Sequence, residues 1–179
     1  MMTIPQLIDQ LRPNPVERYV TRELVPIPFE NIASKAELVI EGRVRPLKTY
    51  LSDDKCYLYT DFEVLAPIVI AGTLSPTNTP GPHPLVVRQM GGSTVIDGVK
   101  VIVEDQQLPP FIDGQRVLLF LSRPATGGPY EIVGEAFGAF AVEADGRVRP
   151  VLRVKGIYDD MQSLTRIEFL ERVKRATGR

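Results

Sequence analysis

Residues 57–64 read Tyr57-Leu58-Tyr59-Thr60-Asp61-Phe62-Glu63-Val64, and this octet decides the fold class. Leu58, Thr60, Phe62 and Val64 fall on one face of an extended chain, and Tyr57, Tyr59, Asp61 and Glu63 on the other. Successive side chains of a strand point to opposite faces, so strict alternation predicts a half-buried β-strand. Upstream, Ser52-Asp53-Asp54 forms a turn, and residues 37–47 read as an earlier strand with Gly42 as a bulge or bend. Downstream, residues 72–84 are a loop holding four prolines, and residues 85–89 are a third strand that ends at Met90-Gly91-Gly92.

The same punctuation continues. Val95 and Ile96 face Val99, Val101 and Val103 across Asp97-Gly98, a dipeptide that adopts positive φ cheaply in tight hairpins. After Phe111 and Asp113-Gly114 comes the unbroken run Val117-Leu118-Leu119-Phe120-Leu121, which fits a strand buried on both faces. Residues 130–133 and 136–142 read as two more strands, and residues 147–154 as another after a turn at Asp145-Gly146. Both ends read as helices. Thr3 and Gln6 form a capping box, with Pro5 in the first turn, an apolar face of Leu7, Ile8 and Leu11, and Pro13 and Pro15 as stops. Thr165 and Glu168 repeat the box, Ile167, Leu170 and Val173 share a face, Lys174 and Arg175 suit the last turn, and Gly178 ends the helix.

These signals predict a mainly β fold, a small barrel or sandwich of about seven strands with short N- and C-terminal helices. The expected layout is one domain over residues 1–179: a helix and surface wrap over 1–35, a β core over 36–155 and a helix over 156–179. The 16 Pro and 14 Gly are spread along the chain, as many short elements require. With 21 basic and 22 acidic side chains there is no global field for a polyanion, so nucleic-acid binding needs a local patch. The single cysteine excludes an internal disulfide. No stretch approaches the roughly 20 apolar residues of a bilayer span. The absence of a secretory leader in residues 1–11 favours the cytoplasm, the alternative being export with the leader absent from the chain.

The order of motifs over residues 36–142 carries a resemblance. It runs "ASKAELVIEGRV", "YLYTDFEVLAPIVIAG", "LVVRQMGG", "PPFIDGQRVLLFLS" and "YEIVGEAFGAF". This resembles a group of uncharacterised bacterial domains, many exported. The succession of elements is also similar to the OB-like barrel of the netrin module and tissue inhibitors of metalloproteinases. The resemblance implies an OB-like barrel. It does not imply inhibition, because those inhibitors act through an N-terminal cysteine and a disulfide-pinned ridge, and this chain has only Cys56.

Each residue that can carry chemistry has a plainer role beside it. His83, the only histidine, lies between Pro82 and Pro84, and no sequence feature gives it an orienting carboxylate, nucleophile or metal partner. Cys56, placed at the head of the second strand, is expected on the core face as a small hydrophobe. Ser93 follows Gly91-Gly92, but Val95 stands where a nucleophile elbow needs its second glycine. Arg43 and Arg45 share one strand face and Arg147 and Arg149 another; with Tyr57 and Tyr59 they form the candidate binding residues, together with His83. Basic faces interleaved with aromatics suit single-stranded nucleic acid, whereas arginines also solvate half-buried strands and blunt their edges. Asp53-Asp54, Glu104-Asp105 and Asp159-Asp160 lack EF-hand spacing, and no P-loop, GxGxxG, HExxH or CxxC motif is present. The reading is a non-catalytic binding or structural module for a macromolecular partner, a protein in the first instance, with no cofactor and no metal. Its alternatives are an OB-type single-stranded nucleic-acid binder and an enzyme assembled in space around His83.

Overall fold

A computed structural model describes residues 2–21, 24–74, 84–124, 127–152, 156, 158–162 and 164–178. The alternating octet lies in β3 (Leu58–Gly72), which pairs antiparallel with β2 (Leu38–Leu51) on one side and β4 (Leu85–Met90) on the other. β2 also pairs antiparallel with β7 (Arg116–Ser122), β7 with β8 (Tyr130–Ile132), and β8 runs parallel to β4. The ring β2-β3-β4-β8-β7 therefore closes into a five-stranded barrel. Closure leaves no free edge around the ring, which removes the template for edge-to-edge association. β9 (Ala139–Val142) and β10 (Val148–Pro150) extend the sheet outward from β7.

Cross-strand register explains why β7 is apolar throughout. One row of side chains runs through Val64 and Leu85, Phe62 and Val87, and Thr60 and Gln89, and fills the barrel. On the other face of β7, Phe120 meets Phe29, Phe140 and Phe169 in edge-to-face contacts with centroids 5.4, 5.8 and 6.5 Å away. Phe29 comes from α2 (Phe29–Lys35) and Phe169 from α3 (Arg166–Thr177), so two helices cap this outer layer. Each face of Val117–Leu121 thus has its own core, and all five residues are buried as expected.

A second, smaller core stands beside the barrel. β5 (Gly92–Ile96) and β6 (Val99–Asp105) form the expected hairpin, whose Asp97 and Gly98 have φ of 50° and 79°. β1 (Val16–Val20) adds to β6 in parallel, and α1 (Ile4–Leu11) covers the sheet with Ile4 and Ile8. Gly92 joins the two bodies: its φ is 131°, and a Cβ there would meet Thr60 Oγ1 at 2.2 Å. Only glycine fits such an approach in that conformation.

Several details depart from the sequence expectations. There are ten strands rather than about seven among the described residues. The 1–35 segment is no simple wrap, because it contains β1 and α2. Residues 135–138 form a 3₁₀ turn (Glu135–Gly138) ahead of β9 instead of extending the strand. In α3 the buried residues are Phe169 and Val173, while Ile167 is 69% exposed; Phe169 has the aromatic layer to fill, and Ile167 points the other way. Both capping boxes form as expected.

Candidate functional site

The turn between β2 and β3 is built by side chains as much as by backbone. Ser52 Oγ donates to Asp54 Oδ1 at 2.6 Å and accepts from the Tyr57 amide at 2.9 Å, while the Cys56 amide donates to the same Asp54 oxygen. The Ser52 hydroxyl bond and the Cys56 amide hold the Asp54 carboxyl below its ordinary range. Arg18 reaches over from β1, donates to the Cys56 carbonyl at 2.8 Å, and lies 5.5 Å above the Tyr57 ring. Tyr57 is thereby fixed at the mouth of the barrel.

Beyond it opens a cleft of about 630 Å³. Its floor is β3 and β4, through Tyr59, Arg88, Gln89 and Met90; Glu131, Ile132 and Glu135 form one wall, and Val20, Thr21 and Leu108 the other. Gln89 is buried and bonded at both ends of its amide: Nε2 donates to the Pro109 carbonyl at 3.0 Å, and Oε1 accepts from the Phe111 amide at 3.2 Å. It ties the chain after β6 to the barrel strand.

Arg88 is the best-held cation in the cleft. Its Nε donates to Asp61 Oδ1 at 3.0 Å, and its guanidinium lies 5.2 Å from the Tyr50 centroid and 5.9 Å from that of Tyr59. Asp61 is only 3% exposed and also accepts from the Tyr50 hydroxyl at 3.1 Å, with Lys48 Nζ 3.8 Å away. The expected outward face of β3 thus holds a buried acid, and its burial is offset by these three partners. Desolvation opposes the charge on Arg88, but the hydrogen bond and charge of Asp61 outweigh it and raise its pKa. Burial, and then the Asp61 charge, push the Tyr50 phenol up to about 12.

The structure brings Tyr57 and Tyr59 into this cleft and leaves the four arginines of the sequence reading outside it. Arg43 donates to the Gly114 carbonyl at 2.9 Å, Arg45 is paired with Glu63, and Arg147 lies 3.5 Å from Asp145. Arg149 is exposed on β10, opposite Ala141, which itself faces Val117. Arg43 faces Arg116, one position along β7 from Val117, so the two arginine pairs lie on opposite faces of the sheet. His83 lies outside the described residues. Cys56 is half-buried in the turn rather than on the core face, because β3 starts two residues after it; its thiol donates to the Asp54 carbonyl at 3.4 Å. Among the described residues no three His, Cys, Asp or Glu side chains gather as a metal site, and no helix is long and apolar enough to cross a membrane.

A second charged centre sits on the far side of the barrel. Glu41, 1% exposed, is ion-paired with Arg116 through one oxygen and with Arg166 Nε at 2.7 Å through the other. It ties α3 to β2 and β7 and does not line the cleft.

Sequence reasoning missed Arg88. The available signal was its place as the lone charge in Leu85–Met90, between inward-facing Val87 and Gln89. What made it part of a site was the register Asp61–Arg88 and Tyr59–Met90, which no local pattern displays.

No protein-family model, no curated protein and no solved structure matches this chain.

Proposed function

We propose that the protein is a non-catalytic binding module that presents the Tyr59–Arg88 cleft of its barrel to a macromolecular partner. The observation that carries this reading is where the cleft lies. In chain order the barrel strands are β2, β3, β4, β7 and β8, and their closure with a single parallel pair, β4 with β8, supports an OB-like reading. Barrels of that kind bind ligands on the face of their second and third strands and at the loop between the first and second. Here the second and third strands supply Tyr59 and Arg88, and that loop supplies Tyr57. Tyrosine and arginine are also the side chains that dominate binding energy at protein interfaces, and these are held in place before any partner arrives.

The test is site-specific photo-crosslinking with benzoylphenylalanine at position 59, and at position 149 as a control on the far face. A partner that crosslinks from 59, not from 149, and is lost in Arg88→Gln supports the reading. Equal crosslinking from both positions, or none from 59 while a partner is bound, overturns it.

A second reading has one specific observation in its favour. Lys48, Arg88 and Arg18 lie over Tyr50, Tyr59 and Tyr57, the mixture of cations and aromatic rings that suits single-stranded nucleic acid. Glu131 and Glu135 line the cleft with Tyr57, Tyr59 and Arg88, and the net charge is −1. This reading requires oligonucleotide binding that strengthens steeply as salt is lowered.

A further inference from the structure

The cleft is charged on both sides, and the two charges stand next to each other. Arg88 is already held by the protein: Asp61 takes its Nε edge, and Tyr50 and Tyr59 lie together on one side of it. Its two Nη groups have no acceptor among the described residues, and the side chain lines the cleft with 34% of its surface exposed. A guanidinium offers paired N–H donors that match a carboxylate, and one already locked in place loses little freedom on binding. Glu131 is the register partner of Arg88 across the parallel β4–β8 pair. It is exposed and makes no ion pair within 4 Å among the described residues, and its charge adds to that of Asp61 in stabilising the Arg88 cation.

We infer that the cleft takes an extended segment of a partner protein carrying one carboxylate and one cation close together, the carboxylate on Arg88 and the cation on Glu131. This rests on the reading that the cleft is the binding face. The alternation of charge excludes simpler ligands on physical grounds. A phosphate chain seated on Arg88 brings its next charges against Glu131, and a run of cations seated on Glu131 meets Arg88. An extended peptide avoids both clashes. Its side chains two residues apart project to one face about 7 Å apart, within reach of two long side chains on neighbouring strands about 4.8 Å apart. Tyr59 supplies ring surface beside the charges for the peptide backbone or an apolar side chain.

The test is selection of a displayed random-peptide library on the full chain, with oligo-dT as the competing ligand. Enriched peptides are expected to carry an acid next but one to a base. Binding of such a peptide is expected to fall about tenfold or more in Arg88→Gln, in Glu131→Gln, and when the peptide's own acid becomes Gln. Arg88→Gln and the peptide acid-to-Gln change are expected to be non-additive. Glu131 is exposed, so its variant stands as the test should Arg88→Gln disturb folding. Peptides that need Tyr59 but lack the charge pair, or bind Glu131→Gln unchanged, overturn this inference and leave the cleft reading standing. Displacement by oligo-dT overturns this inference in favour of the nucleic-acid reading of the same cleft; no enrichment, or enrichment indifferent to Tyr59→Ala, overturns both.

Discussion

Replacing Asp61 by Asn tests whether the floor of the cleft is organised by a single buried charge. Three donors converge on this carboxylate, and they lose different amounts. The Tyr50 hydroxyl keeps an acceptor in the Asn carbonyl oxygen, so its bond is largely retained. Lys48 is 3.8 Å away with 68% of its side chain exposed, and an exposed pair of this kind contributes little. Arg88 donates to that same oxygen and also keeps an acceptor, so its loss is that of the charge on it. A hydrogen bond to a charged group contributes about 1.5–3 kcal/mol, and a guanidinium one-third exposed recovers part of that from water. The expected destabilisation is about 2 kcal/mol, which for a domain of this size lowers Tm by about 4–8 °C. Urea unfolding followed by circular dichroism measures it, and a double-mutant cycle with Arg88→Met isolates the pair at about 1.5 kcal/mol. A second readout is independent of stability: loss of the Asp61 charge moves the Tyr50 phenol down from about 12. A coupling energy within about 0.5 kcal/mol of zero, together with an unmoved Tyr50 titration, refutes the account of Arg88 as a positioned group.

Other outcomes follow from the same packing and charge arrangement. Glu41→Gln is expected to destabilise by about 2 kcal/mol in urea and to lower hydrogen-exchange protection of α3 first; it leaves two arginines without a counter-charge, though both are partly exposed and re-solvate. Unchanged protection of α3 shows that the helix is held by its apolar face, Phe169 and Val173, without the Glu41 charge. In an alkaline absorbance titration, Tyr50 and Tyr158 are expected to ionise last, near 12, both held up chiefly by burial. Their folded pKa values lie above the unfolded value, so the stability they contribute is intact below about pH 10 and is lost as pH rises through about 12. Gly92→Ala is expected to cost well over the roughly 1–2 kcal/mol of a left-handed alanine, since its Cβ would stand 2.2 Å from Thr60 Oγ1. Gly98→Ala, with nothing within 4 Å, is expected to cost only that conformational amount; equal losses in urea melts contradict the close approach at Gly92.

The parts of this architecture visible in the sequence are those whose cause is local. The alternation of Leu58 to Val64, the two capping boxes and the Asp97-Gly98 turn each depend on neighbours a few residues away, and each forms as read. β1 and α2 escaped for a physical reason. β1 is five residues long and finds its partner in parallel at Val101–Asp105, so nothing nearby announces it. α2 has seven residues, a Pro28 cap and no side-chain capping bond, and stands because Phe29 and Ile32 are buried. The site was half legible for the same reason. Tyr57 and Tyr59 stood out on an exposed strand face, whereas Asp61 looked like a solvated acid until β4 set Arg88 beside it. The arginines that drew attention as a pattern, Arg43 with Arg45 and Arg147 with Arg149, are separated by a sheet that puts one pair on each side.

The parallel pairing of β1 with β6 also sets a timetable for biogenesis. Val16 cannot meet Val101 until the intervening chain has been made, and at ribosomal rates of about 5–20 residues per second that delay is several seconds. Through that interval Ile4, Ile8 and Val16 have no sheet to cover, while the β2–β3 hairpin already has both of its strands. Val20 and Thr21, at the end of β1, form one wall of the cleft. The cleft wall formed by β1 is therefore completed late, and until then Ile4, Ile8 and Val16 lack the sheet they pack on.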